Sequence, residues 1–291
     1  MSTIEKAIEK EEAGKSGAGQ PKEETAVPPP PTQRYVPTGK PHIRVDVDRL
    51  KELGMLAPDA AHGQLAEEFR IIKRPILANA FGQGAQEIQN ANLILVTSSL
   101  PGEGKTFTAV NLALSIAAER DKTVLLVDAD VVKPTTSKLM GVGDRAGLID
   151  ILERKVTMQD VLLRTDIPSK DTPKLTVLPA GRRHPHATEL LASEEMQRLA
   201  QDMSRRYPDR VIVFDSPPLL ATTQASVLAT HVGQVLLVVE AEATPQYIVK
   251  EAVDMLAGCQ TVGCVLNKTN QGFGLGYYAY YGYKYYNYGE N

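Results

Sequence analysis

Residues 98–106 read "SSLPGEGKT". Two glycines in so short a span let backbone N–H groups turn inward around an anion. The lysine that follows is a point charge suited to phosphate oxygens, and the threonine hydroxyl is a hard ligand suited to magnesium. The segment lies between an apolar run, "LILVTS" (93–98), and a helical stretch, "TFTAVNLALSIAAE" (106–119). Strand, glycine loop and helix are the setting that a Walker A phosphate loop requires. The nucleotide-binding set is then Pro101, Gly102, Glu103, Gly104, Lys105, Thr106 and Phe107. Lys105 is expected to bridge the β- and γ-phosphates of ATP, and Thr106 to ligate Mg2+. One position departs from the usual pattern, because Ser99 stands where the first glycine is expected.

Three aspartates belong to the same chemistry. "VLLVDAD" (124–130) ends in Asp128 and Asp130, and "VIVFDSPP" (211–218) carries Asp215. A single aspartate after a strand reads equally well as a helix cap or turn. Three at one sheet edge beside a phosphate loop suit a magnesium site, because that ion takes carboxylate oxygens and completes its octahedron with phosphate and water. Asp130 and Asp215 are expected near the metal with Thr106.

The elements that must position these residues follow from the apolar pattern. Continuous runs occur at 93–98, 123–130, 174–181, 210–218, 234–241 and 262–268. Helical stretches separate them near 105–119, 194–206 and 245–257. Such alternation implies an α/β fold: a P-loop NTPase with a doubly wound, mostly parallel sheet and helices on both faces. Ligands then sit at the carboxyl ends of the strands. "QLAEEFRIIKRPILANAF" (64–81) adds a further helix, which Pro75 is expected to kink or interrupt.

Composition narrows the function classes. The chain of 291 residues has a net charge of -3, which gives no reason to expect nucleic acid as a partner. Cys259 and Cys264 have neither zinc-knuckle nor redox-pair spacing, and a reducing cytosol suits them. The start, "MSTIEKAIEKEEAGK", is charged and lacks the apolar segment of a signal peptide. No apolar run is long enough to span a bilayer, so a membrane role would go through a partner. Residues 3–12 fit either a solvated end or a short docking helix, and 13–41 read as a Gly-, Glu-, Lys- and Pro-rich linker. The expected organisation is a disordered segment and linker at 1–42, a folded body at 43–269 and a flexible tail at 270–291.

That tail is unusual. "YYAYYGYKYYNYG" (277–289) holds eight of the eleven tyrosines: Tyr277, Tyr278, Tyr280, Tyr281, Tyr283, Tyr285, Tyr286 and Tyr288. A core would scatter them through strands and helices.

Together these residues resemble the bacterial tyrosine kinases, a branch of the deviant P-loop ATPases. "SSLPGEGKT" is similar to that family's Walker A, "VLLVDADVVKP" to its second acidic motif, and "VIVFDSPP" to its Walker B. "LTVLPAG" followed by "TELLAS" is also typical. "EEFRIIKR" resembles the oligomerisation helix, with Glu67 and Arg70 in place and Lys73 where a second arginine is expected. The charged start, the Pro-rich linker and "EEFRIIKRPILANAF" look most like the exosortase-associated tyrosine autokinases of exopolysaccharide gene clusters. Val132 stands where a basic residue is usual, with Lys133 next, and "AGRRHPHATELL" lacks the Asn-Pro of relatives.

The resemblance implies phosphoryl transfer from ATP to tyrosine, with the tail as the substrate. Lys105, Asp128, Asp130 and Asp215 would be catalytic, Asp128 accepting the phenol proton. Asn267 would either contact adenine or serve as a turn residue. Implied partners are a ring-like homo-oligomer, a membrane-anchored polysaccharide chain-length regulator as activator, and a tyrosine phosphatase. The protein would be cytoplasmic and peripheral to the membrane. Partitioning and cell-division-positioning ATPases resemble this fold, but carry a signature lysine five residues before the Walker lysine, where this chain has Leu100. A nucleotide switch of that kind without kinase activity is the competing expectation.

Overall fold

The computed structural model describes residues 42–57, 63–82, 88–169, 173–207 and 209–269. The N-terminal segment and linker expected at 1–42 lie outside the described residues except for His42, which opens β1, and the tyrosine tail expected at 270–291 lies outside them entirely. Eight strands form one sheet: β1 (His42–Ile43), β2 (Leu93–Ser98), β3 (Thr123–Asp128), β4 (Leu163–Thr165), β5 (Leu175–Leu178), β6 (Arg210–Asp215), β7 (Gln234–Glu240) and β8 (Thr261–Asn267). Their spatial order is β1-β4-β5-β3-β6-β2-β7-β8. Neighbours run parallel except β4 and β5. Thr165 and Leu175 are too close in sequence for a crossover helix between them, so that pair turns back on itself. Strands as short as β1 and β4 show no periodicity, which is why the sequence reading omits them.

Alternate residues along each central strand enter opposite layers, as the pleat requires. Leu93, Leu95, Leu125, Val127, Ile212 and Phe214 belong to one apolar cluster. Ile94, Val96, Val124, Leu126, Val211 and Val213 belong to the other. The second layer is covered by α2 (Gln64–Phe81) and α3 (Lys105–Ala117). α3 is buried at every position from Thr108 to Ala117, because it lies between the sheet and α2. The first layer is covered by α8 (Glu194–Arg206), α9 (Gln224–Ala229) and α10 (Gln246–Asp254). The remaining helices are short: α1 (Val47–Glu52), α4 (Thr135–Leu139), α5 (Leu148–Leu152), α6 (Met158–Val161) and α7 (Ala187–Leu191).

Pro75 lies inside α2 without interrupting it. Its missing N–H orphans the carbonyl of Ile71, but Ile71 and Pro75 are both exposed, so water can satisfy that group. Lys73 corrects a second expectation. It is 6 % exposed, and its ammonium donates to the Ser115 carbonyl at 2.8 Å and pairs with Glu119 at 2.6 Å. It therefore staples α2 to the last turn of α3, where a cation also opposes the helix dipole. Glu67 and Arg70 pair with each other on the more exposed part of α2. Among the described residues, no helix is long and apolar enough to cross a membrane.

Candidate active site

The catalytic candidates converge at the carboxyl ends of β2, β3 and β6, three adjacent strands. The register sets Asp215 opposite Val96 on one side and opposite Asp128 on the other. Thr97 donates its hydroxyl to the Pro217 carbonyl at 2.8 Å, which ties the approach to the phosphate loop to the loop after β6. Gly102 and Gly104 hold the left-handed φ values of 93° and 100° that bend the loop toward the start of α3.

Lys105 and Thr106 open α3 and face the acidic residues. The Lys105 ammonium lies 2.9 Å from Asp130 Oδ2 and 3.9 Å from Asp215 Oδ1. Burial works against its charge, but Asp215 and Asp130 outweigh it and raise the lysine's pKa. Thr106 and Thr136 both donate their hydroxyls to Asp215 Oδ2 at 2.8 Å. Asp130 Oδ1 accepts the Lys133 N–H at 2.9 Å, so at this site the Lys133 backbone makes the contact.

Asp128 is fully buried. Its Oδ2 accepts the N–H and the hydroxyl of Ser137, each at 2.7 Å. Burial, with repulsion from Asp215 behind it, pushes its pKa up to about 7. Burial raises Asp215 as well, against the pull of Lys105.

These residues fit a phosphate-bound magnesium ion. Asp215 Oδ1 is buried with no hydrogen-bond partner, next to a threonine hydroxyl and the phosphate loop. Among the described residues, no cluster of three or more His, Cys, Asp or Glu side chains could hold a metal unaided. A hydroxyl, one or two carboxylates and phosphate oxygens are the donor set magnesium favours. Asp215, Thr106 and Asp130 would hold it.

Other expected residues take less direct places. The Phe107 ring packs near Phe69 of α2, with centroids 6.4 Å apart, so its backbone is what remains for the phosphate loop. The Glu103 side chain folds back on the loop, where its Oε2 accepts the Leu100 N–H at 2.6 Å. Asn267, expected at adenine or in a turn, donates its amide to the Glu103 carbonyl at 2.8 Å. Sequence reasoning missed Thr136 and Ser137. Their signal was the run "TTS" (135–137) opening a helix just past the second acidic motif.

Comparison with known proteins agrees with this geometry. The family model for an AAA domain matches residues 91–268. CapB of Staphylococcus aureus is 32 % identical over 226 residues, which are 77 % of this chain and 93 % of that protein. The tyrosine-protein kinase YwqD of Bacillus subtilis is 31 % identical over 218 residues, 74 % of this chain and 86 % of its own length. The crystal structure of the VpsO kinase domain superposes with a TM-score of 0.58 at 30 % identity, covering 70 % of this chain and 96 % of that one. A P-loop beside three aspartates at one sheet edge, in a chain that spans 93 % of CapB and 86 % of YwqD, places this protein in the bacterial tyrosine kinase family, as a protein-tyrosine kinase of AAA-type fold.

Proposed function

We propose that this kinase phosphorylates its own C-terminal tyrosines, Tyr277 to Tyr288, between subunits of a homo-oligomer, and thereby regulates exopolysaccharide synthesis or export. The observation that carries the reading is where the last strand of the described body ends. β8 ends at Asn267, whose amide is bonded to the phosphate loop. The described chain thus ends two residues beyond that contact, at residue 269, and Tyr277 lies ten residues beyond Asn267 in sequence. That length reaches roughly 33–36 Å when extended, enough for a neighbouring subunit.

Phosphoryl transfer asks for alignment and charge neutralisation more than covalent catalysis. Lys105 exchanges its Asp130 contact for the phosphates. Thr106, Asp130 and Asp215 would hold the metal, which when bound would neutralise charge on the transferring group. Asp128 takes the phenol proton. A tyrosine hydroxyl of pKa about 10 needs such a base, and one tuned near neutrality suits the task. Ser137 already holds Asp128 Oδ2, so the phenol would approach Oδ1, which among the described residues accepts only the Asp130 N–H at 3.3 Å.

Glu67 and Arg70 supply the subunit contact, giving a ring-like assembly. Each phosphotyrosine adds roughly -1.5 to -2 charge, so a modified assembly repels itself and dissociates. A membrane-anchored chain-length regulator activates the kinase at the inner membrane face, and a tyrosine phosphatase resets it.

The test is intact mass after incubation with Mg-ATP, beside Lys105→Met. A ladder of phosphate additions mapping to residues 277–288, absent from Lys105→Met, is expected. Mixing Lys105→Met with an active chain cut at residue 270 separates the routes: label on the inactive partner's tail means transfer between subunits. No label on any tail, even with the activator's cytoplasmic segment present, would favour a nucleotide switch instead.

A further inference from the structure

The phosphate loop contains one carboxylate that phosphoryl chemistry does not use. Glu103 is 2 % exposed in the middle of a loop built to hold anions. A buried carboxylate there opposes the ligand unless its charge is answered locally. Its Oε2 accepts the Leu100 N–H at 2.6 Å, within the loop. Its Oε1 accepts the Thr244 hydroxyl and, at 3.4 Å, the Glu240 N–H. Glu240 ends β7, and Thr244 sits in the segment leading to α10, its own N–H bonded to the Glu240 carbonyl at 3.2 Å.

The backbone of the same residue is held from the other side. The Glu103 carbonyl accepts the Asn267 amide, and a Cβ added at Gly104 would come within 2.1 Å of that amide nitrogen. Residue 103 thus ties the phosphate loop to the ends of β7 and β8, strands that supply none of the catalytic aspartates.

We propose that Glu103 is a positioning residue: held by Thr244, its carboxylate braces the phosphate loop in its binding curvature. ATP then meets an ordered loop and does not bear the cost of ordering it. The segment between β7 and α10 is thereby coupled to nucleotide affinity from outside the catalytic edge. This rests on reading the loop as the nucleotide phosphate cradle.

The experiment measures ATP affinity of the full chain by displacement of a fluorescent ATP analogue, together with KM and kcat. Thr244→Val keeps the side-chain shape and removes the donor; roughly fivefold weaker binding is expected, with KM affected more than kcat. Thr244→Ser should restore affinity to within about twofold, since it restores the hydroxyl. Glu103→Ala should cost roughly 30-fold, the scale for a hydrogen bond to a charged group. The double variant should bind no worse than Glu103→Ala alone, because the bond is already gone. Without nucleotide, Thr244→Val should melt within about 4 °C of the parent. Parental affinity in Thr244→Val, or fully additive losses in the double variant, would overturn the brace. Lys105→Glu separates the two readings. If it binds ATP normally, the cradle reading falls and takes the brace with it. If it weakens binding while Thr244→Val does not, only the brace falls.

Discussion

The catalytic edge and helix α2 both carry residues whose identity suggested function, and the fold treats them differently. At the catalytic edge Asp128, Asp130 and Asp215 stay within 4 % exposure, each bonded to a neighbouring backbone or side-chain donor. On α2, one stripe of "EEFRIIKR" divides. Glu67 and Arg70 remain paired toward solvent while Lys73 turns inward to Ser115 and Glu119. Asp128 and Asp215 are the last residues of β3 and β6, so the sheet fixes the backbone that leads into them, and Asp130 is held just beyond by Lys105 and the Lys133 N–H. A helix stripe is fixed only by what packs against it. A motif on a strand end is therefore a statement about geometry, whereas a motif on a helix awaits its neighbours.

The largest effect expected is at the catalytic edge. Lys105→Met removes the cation answering Asp130, Asp215 and the phosphates, and should lower kinase turnover by roughly 10³-fold or more while the chain stays folded. Radiolabel transfer from ATP checks the rate and circular dichroism the fold. Thr106→Ala should cost less, since it removes one neutral oxygen ligand and leaves Lys105, Asp130 and Asp215 in place.

Next comes the pH dependence of Asp128. A base must be deprotonated, so with a pKa of about 7 activity should rise as pH climbs through neutrality. Asp128→Asn should lose roughly 10²- to 10⁴-fold, and its residual rate should lack this acid limb. Stability has the opposite sign. The folded carboxyl keeps a proton that the unfolded chain, at its ordinary 3.8, releases, so this group's contribution to stability falls between pH 3.8 and about 7. Asp128→Asn should therefore unfold with a flatter pH slope in urea titrations across that window. An unchanged slope would mean that Asp128 titrates normally in the fold.

Much of this architecture was legible because it is written locally. The apolar runs beginning at Leu93, Thr123, Arg210 and Gln234 became strands with the same first residue, and "PGEGKT" sits between strand and helix as its glycines require. What stayed hidden depends on contacts distant in sequence. Nothing near Lys73 announces Ser115, and Glu103, expected in the nucleotide-binding set, gives no sign in the sequence of its bond to Thr244. Pro75 reads as a kink or interruption, and only the packing shows that the carbonyl it frees, that of Ile71, lies on the exposed side of α2. The adjacency of β2, β3 and β6, which turns three separate aspartates into one site, belongs to the topology and not to any one motif.

The smallest effects test α2, where the two halves of its stripe should separate. Lys73→Met keeps the apolar stem but orphans the Ser115 carbonyl. Glu119 is partly exposed and can be hydrated, so the cost should be about 1–2 kcal/mol, read as a lower urea midpoint. Subunit association should not change, because the ammonium lies inside the chain. Arg70→Ala should do the reverse. Its pair with Glu67 is exposed enough to contribute under ~0.5 kcal/mol to folding. If Glu67 and Arg70 make the subunit contact, sedimentation velocity at matched concentration should show the assembly shifted toward monomer. A Lys73→Met chain that dissociates while Arg70→Ala stays assembled would invert the comparison and put the interface on the face now packed against α3.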